Sequence, residues 1–163
     1  LNGQPITVNK YSEVEDAYEL MMLRCRKYMP QARIFGVSIT EQIPLQGKEL
    51  IIGMSRDPHF GPMLMVGLGG IYVEVLKDVA FRIAPLTALE VNQMLRELKT
   101  YPLLTGVRGE KPVDFAGIEN VILRVAQLAA DFPDILELDI NPLFANEQGK
   151  GVDALDMKIT IRL

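Results

Sequence analysis

This sequence of 163 residues has no tryptophan, one cysteine and one histidine. The single cysteine, Cys25, excludes an intramolecular disulfide framework and fits a reducing cytoplasm. The lone histidine excludes the paired Cys and His ligands of structural zinc sites. No apolar run approaches the roughly 20 residues that a membrane-spanning helix needs. We therefore expect a cytoplasmic protein without a membrane partner.

The sequence also lacks an excess of positive charge. Its formal net charge is −4, which argues against a nucleic-acid backbone as its main partner, because such partners attract basic surfaces. Hydrophobic residues make up 48% of the chain, a share typical of globular proteins. The chain begins Leu1-Asn2-Gly3 without an initiator methionine, and we expect it to be a piece of a longer polypeptide.

The order of periodic segments predicts an α+β fold. A helix with a capping box is predicted to begin at Ser12, and capped helices are predicted after Thr87 and Asp114. Runs typical of strands are Arg33 to Ile43, Glu49 to Ser55, Met63 to Leu68, Ile71 to Leu76 and Val79 to Ile83. Because short turns join these runs, the predicted sheet is mostly antiparallel and packed with helices.

A polar row near the end of the chain is the main candidate site. Residues 136–143 and 154–158 are predicted as adjacent strands joined by a hairpin over 146–151. Period-2 alternation places Glu137, Asp139 and Asn141 on one face, and Asp156 can come level with them. Carboxylate and carboxamide oxygens suit Mg²⁺ that a substrate's phosphates complete. The alternative is a solvated acidic sheet face.

Two other motifs carry open alternatives. The glycine-rich Gly67-Leu68-Gly69-Gly70 is a phosphate cradle made of backbone amides, or a tight turn. His59 lies in a segment rich in proline and glycine and is a nucleophile or base, or a residue of a surface loop. Glu41 and Glu49 flank a turn between predicted strands, and the residue pattern leaves their role open.

Several blocks in order resemble the ATP-grasp module of ADP-forming acyl-CoA synthetases. They are Ile39-Thr40-Glu41-Gln42-Ile43-Pro44, Gly47-Lys48-Glu49-Leu50-Ile51-Ile52-Gly53, Arg56-Asp57-Pro58-His59-Phe60-Gly61-Pro62, the run from Gly67 to Arg82, Leu103-Leu104-Thr105-Gly106-Val107-Arg108-Gly109, and Glu137-Leu138-Asp139-Ile140-Asn141-Pro142-Leu143. The same blocks occur in protein acetyltransferases with a synthetase-like region. The β subunit of succinyl-CoA synthetase is a more distant relative.

The resemblance implies roles for particular residues. It implies that Glu41 lines an adenine pocket and that main-chain groups of Gln42, Ile43 and Pro44 hold the adenine edge. It implies that Glu49 contacts the ribose of ATP or ADP. Three residues are implied at the Mg²⁺ site: Asn141 and Asp156 as ligands, and Asp139 as a ligand or as a group that orients one.

The resemblance also implies an ATP-grasp fold that lacks much of its first subdomain. We expect a single domain over residues 1–163, with 1–32 as the tail of the first subdomain and a linking helix, and 33–163 as the second subdomain. The first subdomain supplies a lysine and a loop over the nucleotide's phosphates in this family. If a lysine of this chain takes that place, the candidates are Lys48, Lys77 and Lys158. Arg82 is a further candidate for phosphate contact, or a surface ion-pair partner.

For the whole protein, the resemblance implies the reversible conversion of acyl-CoA, ADP and phosphate to acid, CoA and ATP through a phosphohistidine. The chain by itself is not expected to catalyse this reaction. The implied partners are Mg²⁺, ATP or ADP, and a CoA-binding domain or α subunit within a homo- or hetero-oligomer. The alternatives are a regulatory ATP-grasp region of a synthetase-like protein acetyltransferase and a non-catalytic structural or interface module.

Overall fold

The computed structural model describes residues 5–43 and 47–162. The chain divides into two compact units, Leu1–Leu45 and Gln46–Leu163. Within the described ranges, no helix is both long enough and apolar enough to span a bilayer. The expected subdomain boundary after residue 32 concerns the family's architecture and stays a prediction.

The first unit contains one helix, α1 (Tyr11–Tyr28). The predicted capping box at Ser12 is wrong: the N-cap is Lys10, without a side-chain cap, and the Asn9 amide donates to Glu13 Oε2 at 2.8 Å. No residue of α1 is fully buried. The strand predicted over 33–43 is also wrong, because this stretch joins no ladder among the described residues.

The second unit is built on an antiparallel sheet. Its strands are β1 (Lys48–Asp57), β2 (Gly61–Leu68), β3 (Val79–Ile83), β4 (Ile135–Ala145), β5 (Val152–Ala154) and β6 (Met157–Ile161), and its helices are α2 (Ile71–Glu74), α3 (Ala88–Glu97), α4 (Tyr101–Leu104) and α5 (Phe115–Asp131). The strand order is β3-β2-β1-β4-β5, and β6 pairs with the other end of β4. The predicted α+β class with an antiparallel sheet is confirmed.

Two predicted elements differ from the structure. Residues 71–76 were expected as a strand but contain the short helix α2. The turn begins at Gly70, whose φ of +61° sends the chain back over the sheet, away from the ladder. The returning strand predicted over 154–158 is interrupted at Leu155 and Asp156, which separate β5 from β6.

Alternation along the strands builds one core between the sheet and the helices. Leu50 and Ile52 of β1 have no exposed surface, and neither have Leu64 and Val66 of β2. They belong to one cluster with the apolar stripes of the helices, namely Val91, Met94 and Leu95 of α3 and Ile118, Ile122 and Val125 of α5. The capping box at Thr87 that starts α3 is confirmed. Alternating apolar residues therefore bury one face of the sheet.

The buried carboxylate of Asp114 joins a helix start to a hairpin. It accepts hydrogen bonds from the amides of Gly117 at 3.0 Å, Gly149 at 3.0 Å and Gly151 at 2.9 Å. The first of these bonds caps α5, as predicted. The donors from Gly117 and Gly151 hold the pKa of the Asp114 carboxyl below its ordinary value. One carboxylate therefore orients both α5 and the turn between β4 and β5.

Asp78 plays a similar part at the other end of the sheet. It is 6% exposed and accepts from Lys99 N at 2.9 Å, Thr100 N at 2.8 Å and Thr100 Oγ1 at 2.5 Å. Burial raises the pKa of its carboxyl, but the bonds from Thr100 and Lys99 outweigh burial and hold the pKa below the ordinary value. The start of β3 is thereby tied to the junction between α3 and α4.

We expect Asp114→Ala to lower the free energy of unfolding by about 3 kcal/mol or more, because three amides lose a charged acceptor. Because the pKa of Asp114 is lower in the folded state, its contribution to stability is complete above the pKa of the unfolded state. The contribution is lost as the pH falls through the pKa of the folded state, so measurements at pH 7 include all of it. Denaturant unfolding measures the change. Asp131→Ala, on an exposed residue, is the control and should shift stability by less than about 0.5 kcal/mol. Equal effects of the two substitutions would contradict the role of Asp114.

Candidate functional site

The second face of the sheet carries the candidate site. We call it the open face, because within the described residues of the second unit α3 and α5 pack on the other side, and α2 lies at its Gly67 end. Its apolar side chains come from β1, β2 and β3, and its polar side chains from β4 and β6. The members are Ile51, Gly53, Ser55, Met63, Met65, Phe81, Ile83, Glu137, Asp139, Lys158 and Thr160. The open face thus has an apolar half and a polar half.

Four polar residues of β4, β6 and the residue before β6 stand in two neighbouring backbone rungs. Asp139 is directly opposite Lys158 in the register of β4 and β6. The Asn141 amide donates to the Asp156 carbonyl at 3.1 Å, which continues that register and places these two residues opposite each other. Side chains two residues apart on a strand share a face. We call Asp139, Asn141, Asp156 and Lys158 the polar block.

β4 has an irregularity between Ile140 and Leu143. Leu50 pairs with Leu143 and Ile52 pairs with Ile140, so β4 has one residue more than β1 in this interval. Such a bulge bends the strand and redirects a side chain, and bulges are frequent beside active sites. Ile140 and Leu143 are both buried, while Asn141 between them is exposed. The bulge therefore returns Leu143 to the core, while Asn141 stays on the outward side that Asp139 occupies.

The absence of a side chain at Gly53 shapes the floor beside the polar block. Gly53 is opposite Asp139 on one side and Met65 on the other. A Cβ placed on Gly53 would lie 3.2 Å from Met65 Cε and 3.8 Å from Met65 Cβ. No side chain therefore rises from Gly53 where the apolar half of the open face meets the polar half.

The carboxamide and carboxylate oxygens of the polar block are suitable ligands for a nucleotide-bound Mg²⁺. Asn141 and Asp156 offer one carboxamide and one carboxylate at opposite ends of a rung, and Asp139 adds a carboxylate one rung away. Among the described residues, no group of three or more His, Cys, Asp or Glu side chains forms a cation cage. Mg²⁺ is usually bound through one or two carboxylates together with substrate phosphates, so an incomplete protein ligand set suits it.

Glu49 lies on the same side of β1 as the open face, near its β5 end. It is opposite Phe144, and its carbonyl accepts a bond from the Gly69 amide at 2.7 Å. A Cβ on Gly69 would lie 3.1 Å from Glu49 Cβ, so Gly69 makes room for this glutamate. The exposed carboxylate of Glu49 can accept bonds from a ligand.

The predicted adenine residues belong to the first unit. Glu41 and Gln42 line a cavity of about 580 Å³ with mostly apolar side chains, among them Ile6, Val8 and Met21. Ile43 is half-buried next to them in the chain. Pro44 lies outside the described residues. A volume in the range of ligand pockets and an apolar lining are compatible with an aromatic base.

The glycine-rich motif over 67–70 has a packing role in the structure. A Cβ on Gly67 would lie 2.8 Å from the Asp78 carbonyl oxygen and 3.1 Å from Val73 Cγ2. Because Gly67 has no side chain, α2 and its connection to β3 can lie directly on the sheet. Gly67 and Leu68 end β2, and Gly70 begins the turn into α2.

Two other candidates are occupied elsewhere. Arg82 points toward α3, where its Nη2 forms an ion pair with Glu97 and its Nη1 donates to Glu97 Oε2 at 2.9 Å. Glu97 raises the pKa of the Arg82 guanidinium further. The ion-pair alternative for Arg82 is confirmed. His59 is exposed in a turn, and its amide donates to Asp57 Oδ1 at 2.7 Å, in agreement with the surface-loop interpretation.

Residues 2–161 match the family model described as "ATP-grasp domain". This chain belongs to the ATP-grasp domain family. It is 48% identical over 153 residues to the β subunit of acetate–CoA ligase [ADP-forming] I of Pyrococcus furiosus, covering 93% of this chain and 66% of that subunit. It is 47% identical over 157 residues to 4-hydroxybutyrate–CoA ligase [ADP-forming] of Nitrosopumilus maritimus, covering 96% of this chain and 22% of the ligase.

A solved relative has the same fold as this ATP-grasp chain. It is the dinucleotide-forming acetyl-coenzyme A synthetase 1 of Ca. Korarchaeum cryptofilum in complex with coenzyme A and Mg-AMPPCP, with its phosphohistidine segment pointing towards the nucleotide-binding site. The TM-score is 0.82 at 36% identity, over 97% of this chain and 67% of the relative. The resemblance to ADP-forming acyl-CoA synthetases is confirmed. The chain spans 66% of the separate β subunit and 22% of the longer ligase.

Sequence reasoning missed three features of this ATP-grasp chain. It did not identify the bulge at Asn141, the clamp of Asp114 on the hairpin, or Lys158 as a member of the polar block. The clamp of Asp114 could have been inferred from Gly149 and Gly151 beside the hairpin turn. The place of Lys158 could have been inferred from its spacing of two residues from Asp156. Only the pairing register reveals the bulge.

We expect Gly67→Ala to lower the free energy of unfolding by roughly 1–3 kcal/mol, because the new methyl group meets backbone that cannot move aside. Gly53→Ala is the matched control: its methyl group meets the flexible end of Met65, and we expect a loss below about 1 kcal/mol. Denaturant unfolding of both variants checks this. A Gly67 variant as stable as the Gly53 variant would refute the packing role.

Proposed function

We propose that this chain is the Mg-nucleotide-binding part of an ADP-forming acyl-CoA synthetase. The polar block carries the proposal, because Asn141 and Asp156 oppose each other on an open sheet face with donors that suit Mg²⁺. The names of the relatives, which are ADP-forming ligases of acetate and 4-hydroxybutyrate, support the reaction class. The Mg-AMPPCP in the solved relative supports the choice of ligand.

The proposed reaction converts acyl-CoA, ADP and phosphate to acid, CoA and ATP, reversibly, with a histidine of the whole protein carrying the phosphoryl group. Mg²⁺ bound with the nucleotide supplies positive charge that offsets the negative charge of the phosphoryl group during transfer. Asn141 and Asp156 hold the ion through a carboxamide and a carboxylate oxygen. Asp139, one rung away, orients this pair or binds the ion.

The remaining proposed contacts position the nucleoside. Glu49 accepts hydrogen bonds from the ribose hydroxyls, and its exposed carboxylate beside Gly69 supports this role. Glu41 lines the adenine pocket, and the main chain of Gln42 to Pro44 holds the adenine edge. The apolar cavity that Glu41 and Gln42 line in the first unit supports this part of the proposal.

A CoA-binding domain is the proposed partner. One relative is a separate β subunit, and the other is a single longer chain of which this sequence covers 22%. These two arrangements support a CoA-binding part that is either an α subunit or a further domain of the same polypeptide. We propose that the assembled enzyme is a homo- or hetero-oligomer of the cytoplasm.

In the full-length protein, we expect Asp156→Asn and Asn141→Ala each to reduce ATP-dependent acyl-CoA formation roughly 100-fold or more, because each removes a group that holds charge at the phosphates. The far-UV circular dichroism spectrum should not change, since both residues are exposed. Asp131→Asn and Asn120→Ala, on exposed positions of α5, are the matched controls. Full activity in both site variants would refute the metal assignment, and nucleotide binding without ligase turnover in the wild type would favour the regulatory alternative.

A second prediction concerns the ribose. Glu49→Ala in the full-length protein should raise the nucleotide KM roughly 10- to 100-fold, because a bond to a charged acceptor contributes about 1.5–3 kcal/mol. Steady-state kinetics with ADP and with ATP measure this change. The KM for CoA should stay constant in the same variant, and Glu15→Ala on exposed α1 should leave both constants unchanged. An unaltered nucleotide KM in Glu49→Ala would contradict the ribose contact.

A further inference from the structure

The strands contain four cationic side chains, and three of them are engaged on the helix-covered side. Lys48 Nζ pairs with Glu110 at 2.7 Å, Arg56 Nε donates to the Ile135 carbonyl at 3.0 Å, and Arg82 pairs with Glu97. Arg56 also donates to the Ala129 carbonyl at 2.5 Å, at the end of α5. These three cations are therefore committed to holding the helices and loops against the sheet.

The fourth cation, Lys158, stands on the open face. Its position opposite Asp139 puts the two Cβ atoms about 4.5–5.5 Å apart, as in any directly opposed pair. Within residues 5–43 and 47–162, its ammonium forms no ion pair and no side-chain hydrogen bond. Lys158 is exposed, so its ammonium is available to a ligand on this face.

The register also fixes the distance from Lys158 to the proposed metal ligands. Asp156 is two residues away along the chain, a separation of about 7 Å at roughly 3.4 Å per residue. Asn141 is diagonal to Lys158 across the pair of strands. A lysine ammonium on its flexible four-carbon stem covers such a distance. Any phosphate held at Asn141 and Asp156 lies within reach of Lys158.

The positive charge of Lys158 offsets negative charge in the polar block. The polar block has two carboxylates, Asp139 and Asp156, and one ammonium. Without Lys158, the carboxylates would oppose the approach of the nucleotide's phosphates more strongly. An ammonium at this position reduces that repulsion and donates hydrogen bonds to a phosphate oxygen.

The other two lysines considered for this role lie elsewhere. Lys48 is paired with Glu110 on the helix-covered side. Lys77 lies at the start of β3, which is three strands away from β4 in the sheet order, or about 14 Å at roughly 4.8 Å per strand. The fold therefore brings only one of these three lysines to the polar block.

We propose that Lys158 is the cation of this chain that contacts the phosphates of the Mg-nucleotide bound at Asn141 and Asp156. The inference rests on the proposed function, because it requires a nucleotide at the polar block. Lys158 holds the phosphates against the metal ligands and, before binding, offsets the charge of Asp139. It is a binding residue for the phosphates, distinct from the lysine that the family's first subdomain supplies.

The test is calorimetric titration of the full-length enzyme and its Lys158→Met variant with Mg-ADP and with adenosine. Loss of one charge-assisted contact should raise the Mg-ADP Kd roughly 10- to 100-fold. The adenosine Kd should not change, because adenosine has no phosphate. Lys158→Arg should retain most of the affinity, since it keeps the charge. Lys150→Met, in the exposed hairpin and paired with Glu147, is the matched control and should bind as the wild type does.

Several outcomes would overturn the inference. An unchanged Mg-ADP Kd in Lys158→Met, with binding still weakened by Asn141→Ala, would remove Lys158 from the site and leave the proposed function standing. An equal rise in the Kd for adenosine would show that Lys158 supports the fold of the site and does not contact the phosphates. Recovery of wild-type affinity in Asp139→Asn/Lys158→Met would show that Lys158 only offsets Asp139 and does not contact phosphate. A wild-type enzyme that binds no Mg-ADP would overturn this inference and the proposed function together.

Discussion

The pairing of β4 with its neighbours is the constraint on which the second unit depends. β4 forms ladders with β1 along one edge and with β5 and β6 along the other. Its buried residues Leu138, Ile140 and Leu143 contribute to the core, while Asp139 and Asn141 between them face outward. A slip of one residue would exchange these faces, so burial of three apolar side chains also fixes the positions of the polar block.

Two buried carboxylates keep the elements around this sheet in place. Asp114 ties the start of α5 to the hairpin that returns from β4, and Asp78 ties the start of β3 to the junction of α3 and α4. Each accepts at least three donors, so the burial of its charge is compensated. The position of Asp156 relative to Asn141 depends on the hairpin that Asp114 holds.

Charge is divided between the two faces of the sheet. On the helix-covered side, Lys48 and Arg82 pair with acids of the loop and helix that pack there. In the polar block of the open face, Asp139, Asp156 and Lys158 stand together without an ion pair among the described residues. The first arrangement stabilises packing, whereas the second leaves charges available to a ligand. This difference explains why Arg82 is a structural residue although it was a candidate for phosphate contact.

Much of the fold was predictable from local patterns. Strand-like runs identified β1 and β2, alternation identified β3 and β4, and capping residues identified α3 and α5, because each of these segments buries apolar side chains. The failures lie where a partner decides the conformation. The stretch 33–43 has strand-like residues but no neighbour with which to form a ladder among the described residues. The stretch 71–76 turns into α2 because Gly67 and Gly70 let the chain fold back onto the sheet.

The sequence by itself determined which chemistry the chain offers: the row of Glu137, Asp139 and Asn141 follows from period-2 alternation, and the ordered blocks determined the family. Only the tertiary structure decided which side chains meet. The bulge in β4 returns Leu143 to the core three residues after Ile140, and the register of β6 sets Lys158 opposite Asp139. The physical reason is that pairing register and bulges depend on residues distant in the chain, whereas alternation is a local property of each strand.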